Sequence, residues 1–156
     1  MQFHKPESIQ MSSPLLTTPL TPELSCTNIQ KSIVFYTELL GFKIQFQRPE
    51  DGFAMLERQG SRIMLDEIRH VSVTGKDRNW ISATLESPFG RGINLQMVTD
   101  NVDELYAKVQ KANARIFLPM EEKWYRAGNF YVGNRQFIVQ DPDGYLLRFF
   151  QDLGDR

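Results

Sequence analysis

The sequence predicts an α+β fold in which one small unit, a strand, a helix and three strands, is used twice. Three observations carry this expectation. Two stretches of helical apolar spacing each open on an asparagine, at Asn28 and Asn101. An alternating run precedes each asparagine, and short segments separated by turn residues follow each helix. Placing Asn28 on Asn101 also places Ile29 on Val102 and Ile33 on Tyr106, so the halves match on the face that would meet a core.

In the first unit, Leu20 to Cys26 suits a strand, with Pro22 at an edge or near its start. From the cap Asn28, residues Ile29, Ile33, Tyr36 and Leu40 form a helical stripe, and Gly41 stands where a left-handed stop belongs. Phe42 to Gln47, Phe53 to Arg58 and Ser61 to Glu67 read as strands, parted by Pro49-Glu50-Asp51-Gly52 and Gln59-Gly60. In the second unit, Gly92 to Thr99 alternates cleanly, and Asn101 caps a helix with the stripe Val102, Leu105, Tyr106 and Val109. Strands are expected at Arg115 to Leu118, Tyr131 to Gln140 and Tyr145 to Gln151, the last two joined by the turn Asp141-Pro142-Asp143-Gly144. The expected organisation is a loosely ordered extension over 1–19, modules over 20–67 and 92–152, and a connection over 68–91 holding Gly75, Trp80, Pro88 and Gly90.

Composition narrows the function. With 18 basic and 19 acidic residues and a net charge of −1, the 156-residue chain lacks the basic field that holds nucleic acid. No apolar run approaches a membrane span. The single cysteine, Cys26, lies in an apolar stretch and reads as a small buried hydrophobe, which fits a reducing cytoplasm, and Met1 to Thr18 hold no signal-like apolar region, so a cytoplasmic location is the expectation. Met11 is an alternative start. Ser, His and acid residues do not cluster as a triad, Gly90-Arg91-Gly92 is too short for a phosphate loop, and Glu121-Glu122 reads as a solvated pair.

Asp141-Pro142-Asp143-Gly144-Tyr145-Leu146-Leu147-Arg148-Phe149 resembles the closing hairpin of the vicinal-oxygen-chelate superfamily, the glyoxalase, bleomycin-resistance and dioxygenase proteins. The segment from Asn28 to Phe42, with Phe-Tyr inside and Leu-Gly-Phe at its end, is similar to that superfamily's first helix. The resemblance is nearest to the bleomycin-resistance proteins and runs from Leu20 to Gln151. It implies two βαβββ modules whose strands form a curved mixed sheet around a cleft, with the helices outside.

Metal-using members carry His or Glu at the start of each first strand and Glu near the end of each last strand, because a divalent cation needs converging lone pairs. Those positions read Thr21, Asn94, Met64 and Arg148 here, and a guanidinium has no lone pair to give. His4 and His70 lie in the extension and the connection and make no ligand motif. The expectation is therefore binding without metal, cofactor or catalytic residues. The resemblance leaves a second reading open, a metal-dependent lyase, isomerase or dioxygenase of the same fold.

By the period of two, Leu24, Ile93, Leu95, Leu147 and Phe149 should face the helices, and Thr21, Glu23, Asn94, Gln96, Leu146, Arg148 and Phe150 the cleft. Glu23 is the expected partner of Arg148. Trp124, Tyr125, Phe130 and Tyr131 cluster after the second helix, and Phe53 follows an acidic turn as in the bleomycin-resistance proteins. Phe53, Asn94, Gln96, Trp124, Tyr125, Phe130, Tyr131 and Arg148 are the expected ligand contacts. Trp124 enters this set by neighbourhood, because Gly133 stands at the family's tryptophan position. The resemblance implies a homodimer that sequesters a small cationic, planar-ringed antibiotic of the bleomycin type.

Overall fold

Two asparagine caps and eight strands produce two sheets, each carrying one helix, in a computed structural model that describes residues 18–68 and 80–156. Most of the extension, including His4 and Met11, and the part of the connection holding His70 and Gly75 lie outside the described residues. The first module runs β1 (Glu23–Cys26), α1 (Ile29–Val34), β2 (Lys43–Arg48), β3 (Phe53–Arg58) and β4 (Ser61–Glu67). The second runs β5 (Asn94–Val98), α2 (Val102–Lys111), β6 (Arg115–Ala127), β7 (Phe130–Gln140) and β8 (Leu146–Asp155). The sheet orders are β1-β4-β3-β2 and β5-β8-β7-β6, the same order twice. In each, the first strand pairs parallel with the last and the others pair antiparallel.

Both caps form as expected. Asn28 accepts from the Lys31 amide and Asn101 from the Glu104 amide, satisfying donors that the first helical turn leaves free. The two helices end differently. After Val34 the first helix widens into a π turn, Phe35–Leu39, in which the Leu40 amide reaches the Phe35 carbonyl before the chain leaves through Gly41 at φ 76°. The second stays α-helical to Lys111 and leaves through Asn113 at φ 51°.

Three expectations are corrected. The first strand is shorter than Leu20 to Cys26, because regular pairing with β4 begins at Glu23. Ile93, expected against the helices, precedes β5 and is 47% exposed, while Met97 takes up the buried face of that strand. The largest difference is β6, expected to stop at Leu118 but continuing to Ala127. Its register shifts on both sides of Leu118, so Pro119 sits in an irregular stretch of an edge strand and withholds no needed ladder donor.

One contiguous core joins the modules on the helix side. Ile29, Tyr36 and Leu40 from the first helical segment and Val102, Leu105 and Val109 from α2 pack with residues of both sheets. Phe137 stacks on Phe149 and meets Tyr106. At one end Arg58 spans the modules, donating to the Leu40 carbonyl and the Thr99 hydroxyl, each at 2.8 Å, with its guanidinium over Phe149. Burial lowers the Arg58 pKa, opposed by Asp100. An open groove of about 410 Å³ lies beside it, between the Leu40–Gly41 exit of the first helix and α2, and touches none of the expected ligand residues.

The other joint is the Asp141–Gly144 turn. Asp141 Oδ1 accepts the amides of Asp143, Gly144 and Tyr145, and its Oδ2 accepts the Tyr36 hydroxyl at 2.9 Å. Asp143 accepts from the Thr27 amide and hydroxyl and from the Ser32 hydroxyl. Burial, reinforced by Asp141, holds the Tyr36 hydroxyl well above its usual pKa, so it stays protonated and donates. Burial likewise pushes the Asp141 carboxyl up, against the lowering effect of its hydrogen bonds. Tyr36→Phe is expected to lower unfolding free energy by about 1–2 kcal/mol, and Asp141→Ala, which also strands the turn amides, by about 3 kcal/mol or more. Urea unfolding checks both; a wild-type Tyr36→Phe would mean that the hydroxyl adds nothing to the joint.

Candidate functional site

With the core on the helix side, the opposite face of each sheet is left for a site. Strand register makes the two faces quasi-equivalent. Glu23 opposes Met64 as Gln96 opposes Arg148, Phe53 opposes Asp66 as Gln136 opposes Phe150, and Met55 opposes Met64 as Ile138 opposes Arg148. On the next strand, Arg48 opposes Phe53 as Glu121 opposes Gln136. The floor of both faces is thus Phe53, Met55, Gln136 and Ile138, at 8%, 7%, 1% and 7% exposure and outside the shared core.

The same backbone carries different chemistry on its two halves. In the first module Phe53 stacks on Phe46 at 5.9 Å and has the Arg48 guanidinium 3.9 Å above its ring. Arg48 also bonds Asp51 at 2.9 Å. Burial raises the Glu23 pKa, with nearby Asp66 adding to the shift and Arg48 opposing it. In the second module Gln136 Nε2 donates to Glu121 Oε1 at 2.9 Å and to the Tyr125 hydroxyl oxygen at 2.7 Å. Arg148 donates to Gln96 Oε1. Two buried polar atoms here, Gln136 Oε1 and Arg148 Nε, have no hydrogen-bond partner among the described residues.

Five of the residues expected to contact ligand therefore lie on the helix-free faces: Phe53 in the first module, and Asn94, Gln96, Tyr125 and Arg148 in the second. Phe130 shares the face of Tyr125 by alternation but stands at the tip of the β6–β7 ribbon, 46% exposed. Trp124 and Tyr131 point the other way, because neighbours in a strand face opposite sides. Trp124 lies over Gly133, where an added Cβ would come within 2.7 Å of the indole. On that same side Glu122 bonds Arg135, which reaches Asp103 of α2. Arg156 stacks 4.0 Å from the Trp124 ring centroid.

The expected Glu23–Arg148 pair is corrected. Parallel pairing sets Glu23 beside Met64 and Gln96 beside Arg148, so the cation is met by an amide from its own module. Gln136 and Glu121 were not among the expected site residues. No local signal marked Gln136, which ends the polar run Asn134-Arg135-Gln136 ahead of Phe137-Ile138-Val139.

The positions at which metal-using relatives place ligands do not suit a divalent cation here. Thr21, Met64, Asn94 and Arg148 supply neither imidazole nor carboxylate, and Arg148 brings a fixed positive charge. Among the described residues no three His, Cys, Asp or Glu side chains group as metal ligands. Arg148→Glu should therefore lower the melting temperature near neutral pH, because a partly buried carboxylate replaces a cation already bonded to Gln96. Acidification should reduce the loss as the new carboxyl protonates, and added zinc should not restore it. Thermal melts across pH, with and without zinc, measure this; rescue by zinc would contradict the mismatch.

Comparison with known proteins agrees with this architecture. A model of the glyoxalase/bleomycin resistance protein/dioxygenase superfamily matches residues 20–149. Proteins named bleomycin resistance protein from Geobacillus stearothermophilus and Staphylococcus aureus are 30% identical over 143 residues, covering 85% of this chain and 95% of theirs. A protein of unknown function from Agrobacterium tumefaciens superposes with a TM-score of 0.62 at 24% identity, over 85% of this chain and 92% of that one. TioX from Micromonospora sp. ML1 superposes at 0.60 with 23% identity, over 86% and 98%, and these two structures speak for the fold alone. The chain belongs to the glyoxalase/bleomycin resistance protein/dioxygenase superfamily.

Proposed function

We propose that this chain binds a small cationic molecule with a planar ring, of the bleomycin type, on its helix-free faces and holds it without metal-dependent turnover. The observation that carries the reading is the Glu121–Gln136–Tyr125 group, an acid beside an aromatic ring over an almost fully buried amide. A carboxylate attracts the cation, and π faces suit the ring. The stacked Phe46 and Phe53 of the first module offer a second aromatic surface. The relatives named for bleomycin resistance, matched over nearly their whole length, support the same ligand class. Glu121 joins Phe53, Asn94, Gln96, Tyr125 and Arg148 as the proposed contacts, with Phe130 at the rim. Trp124 and Tyr131 enter the proposal only through the other side of the ribbon.

A homodimer belongs to the reading. The β6–β7 ribbon extends beyond the strand pairs that β5 makes, leaving Phe130 and Tyr131 at 46% and 44% exposure where a two-fold mate could cover them. A cytoplasmic setting suits the buried free Cys26, whose thiol burial pushes up to about 12. No helix among the described residues is long and apolar enough to cross a membrane.

Calorimetric titration with metal-free bleomycin is expected to give saturable heat, and Glu121→Gln to weaken binding by about tenfold, or ~1.4 kcal/mol. No heat at high micromolar drug would remove the bleomycin reading. Light scattering at micromolar concentration should give about twice the 18.1 kDa chain mass. A strict monomer would remove the dimer.

A further inference from the structure

We infer that Gln136 and Arg148 form a corner that reads a neutral planar group presenting an acceptor beside a donor, such as a primary carboxamide or a lactam edge. The inference rests on the reading that the helix-free face of the second module binds ligand, and not on which drug it binds. Ile138 opposes Arg148 and Gln136 opposes Phe150, so Gln136 and Arg148 are diagonal neighbours on one face of β7 and β8, within reach of a single small group. Gln136 is 1% exposed, yet among the described residues its Oε1 has no hydrogen-bond partner, and neither has the buried Arg148 Nε. A buried donor and a buried acceptor left open on diagonal neighbours are costly in a folded protein, and a ligand edge of the opposite pattern removes both costs.

Chemistry fixes which way the glutamine points. Its amide nitrogen faces Glu121, and a carboxylate can only accept, so the nitrogen must stay there and the oxygen must face away. Because Gln136 donates to the Tyr125 oxygen, the phenol keeps its own hydrogen for another acceptor. The terminal nitrogen of Arg148 donates to Gln96, and its Nε is buried. The neighbours that shield the corner, Tyr125, Arg148 and Phe150, are themselves only partly buried, so a ligand need displace only side chains that already reach the surface.

The pattern excludes the ligand that an arginine most often suggests. A carboxylate would satisfy Arg148 but set its second oxygen against Gln136 Oε1, with Glu121 close behind. A carboxamide offers its oxygen to Arg148 and its N–H to Gln136, and carries no charge to repel Glu121. One planar group closes both open valences.

The test uses nicotinamide and nicotinate, which share a ring and differ in this one group. The full chain is titrated with each while the side-chain ¹H–¹⁵N signals of Arg148 Nε–H and Gln136 Nε2 are followed by NMR. Nicotinamide is expected to move both signals, to slow exchange of the Arg148 Nε proton, and to bind at least tenfold more tightly than nicotinate. Gln136→Met and, independently, Arg148→Lys should each erase that preference, so a folding defect in one variant leaves the other as a test. Three results would overturn the inference: no movement with nicotinamide, equal or tighter binding of nicotinate, or an Arg148 Nε proton already protected in the free chain, which would mean that the two atoms close on each other. Amide preference without bleomycin heat would retain the corner and remove the drug. Bleomycin heat without nicotinamide-induced shifts would remove the corner and retain the drug.

Discussion

The structure depends on two buried carboxylates that join one module to the other. Among the described residues each module has four strands and one helix longer than a single turn, too little to enclose a core by itself, and the shared core exists only if the modules are held in register. Asp141 and Asp143 do this from the turn that closes the second sheet, taking hydrogen bonds from Tyr36, Thr27 and Ser32 of the first. Buried acids are expensive unless their oxygens are met by donors, and here backbone amides and hydroxyls meet them. Gly144 completes the turn at φ 99°, and an added Cβ there would fall 2.3 Å from that of Pro88. Close approach of the connecting chain lets the Phe89 amide reach the Asp143 carbonyl.

Because both helices and the joint occupy one side, the other faces of the sheets are released from packing the core. They are filled differently despite a common backbone. Phe53 in one module stands where the other has Gln136, and Arg48 stands where the other has Glu121. One half is thus a cation over stacked rings, the other an acid holding an amide. A ligand that touched both would meet opposite charges at matched positions.

What was legible in the sequence was whatever local chemistry decides. Asn28 and Asn101 cap helices because their side chains bond amides three residues on, and Asp141-Pro142-Asp143-Gly144 turns because its own carboxylate binds its own backbone. Alternation correctly placed Leu147 and Phe149 against the helices and Arg148 away from them. The partner of Arg148 was not legible, because parallel pairing between β5 and β8 is set across 52 residues of chain. Nor was the side that Trp124 takes, since Pro119 and the charged run after it look like a loop until the whole ribbon is paired. Gln136 was hidden for a different reason: it is buried between neighbours on the two flanking strands, Glu121 and Tyr125 on β6 and Phe150 on β8, and no spacing in the sequence records them.

The π turn in the first helix has a bearing on how the two halves came to differ. One more residue separates the cap Asn28 from the left-handed Gly41 than separates Asn101 from the left-handed Asn113. The surplus is absorbed where the Leu40 amide reaches back five residues, whereas the Ala112 amide of the second helix reaches back four. The strands on either side keep the same pairing order in both modules, so the gain is confined to a single widened turn. Tyr36, whose hydroxyl crosses to the other module, lies within that turn. A duplicated unit that acquired one residue in one copy would have this form, and the added residue would have broken the symmetry of the repeat at the place where the copies hold each other.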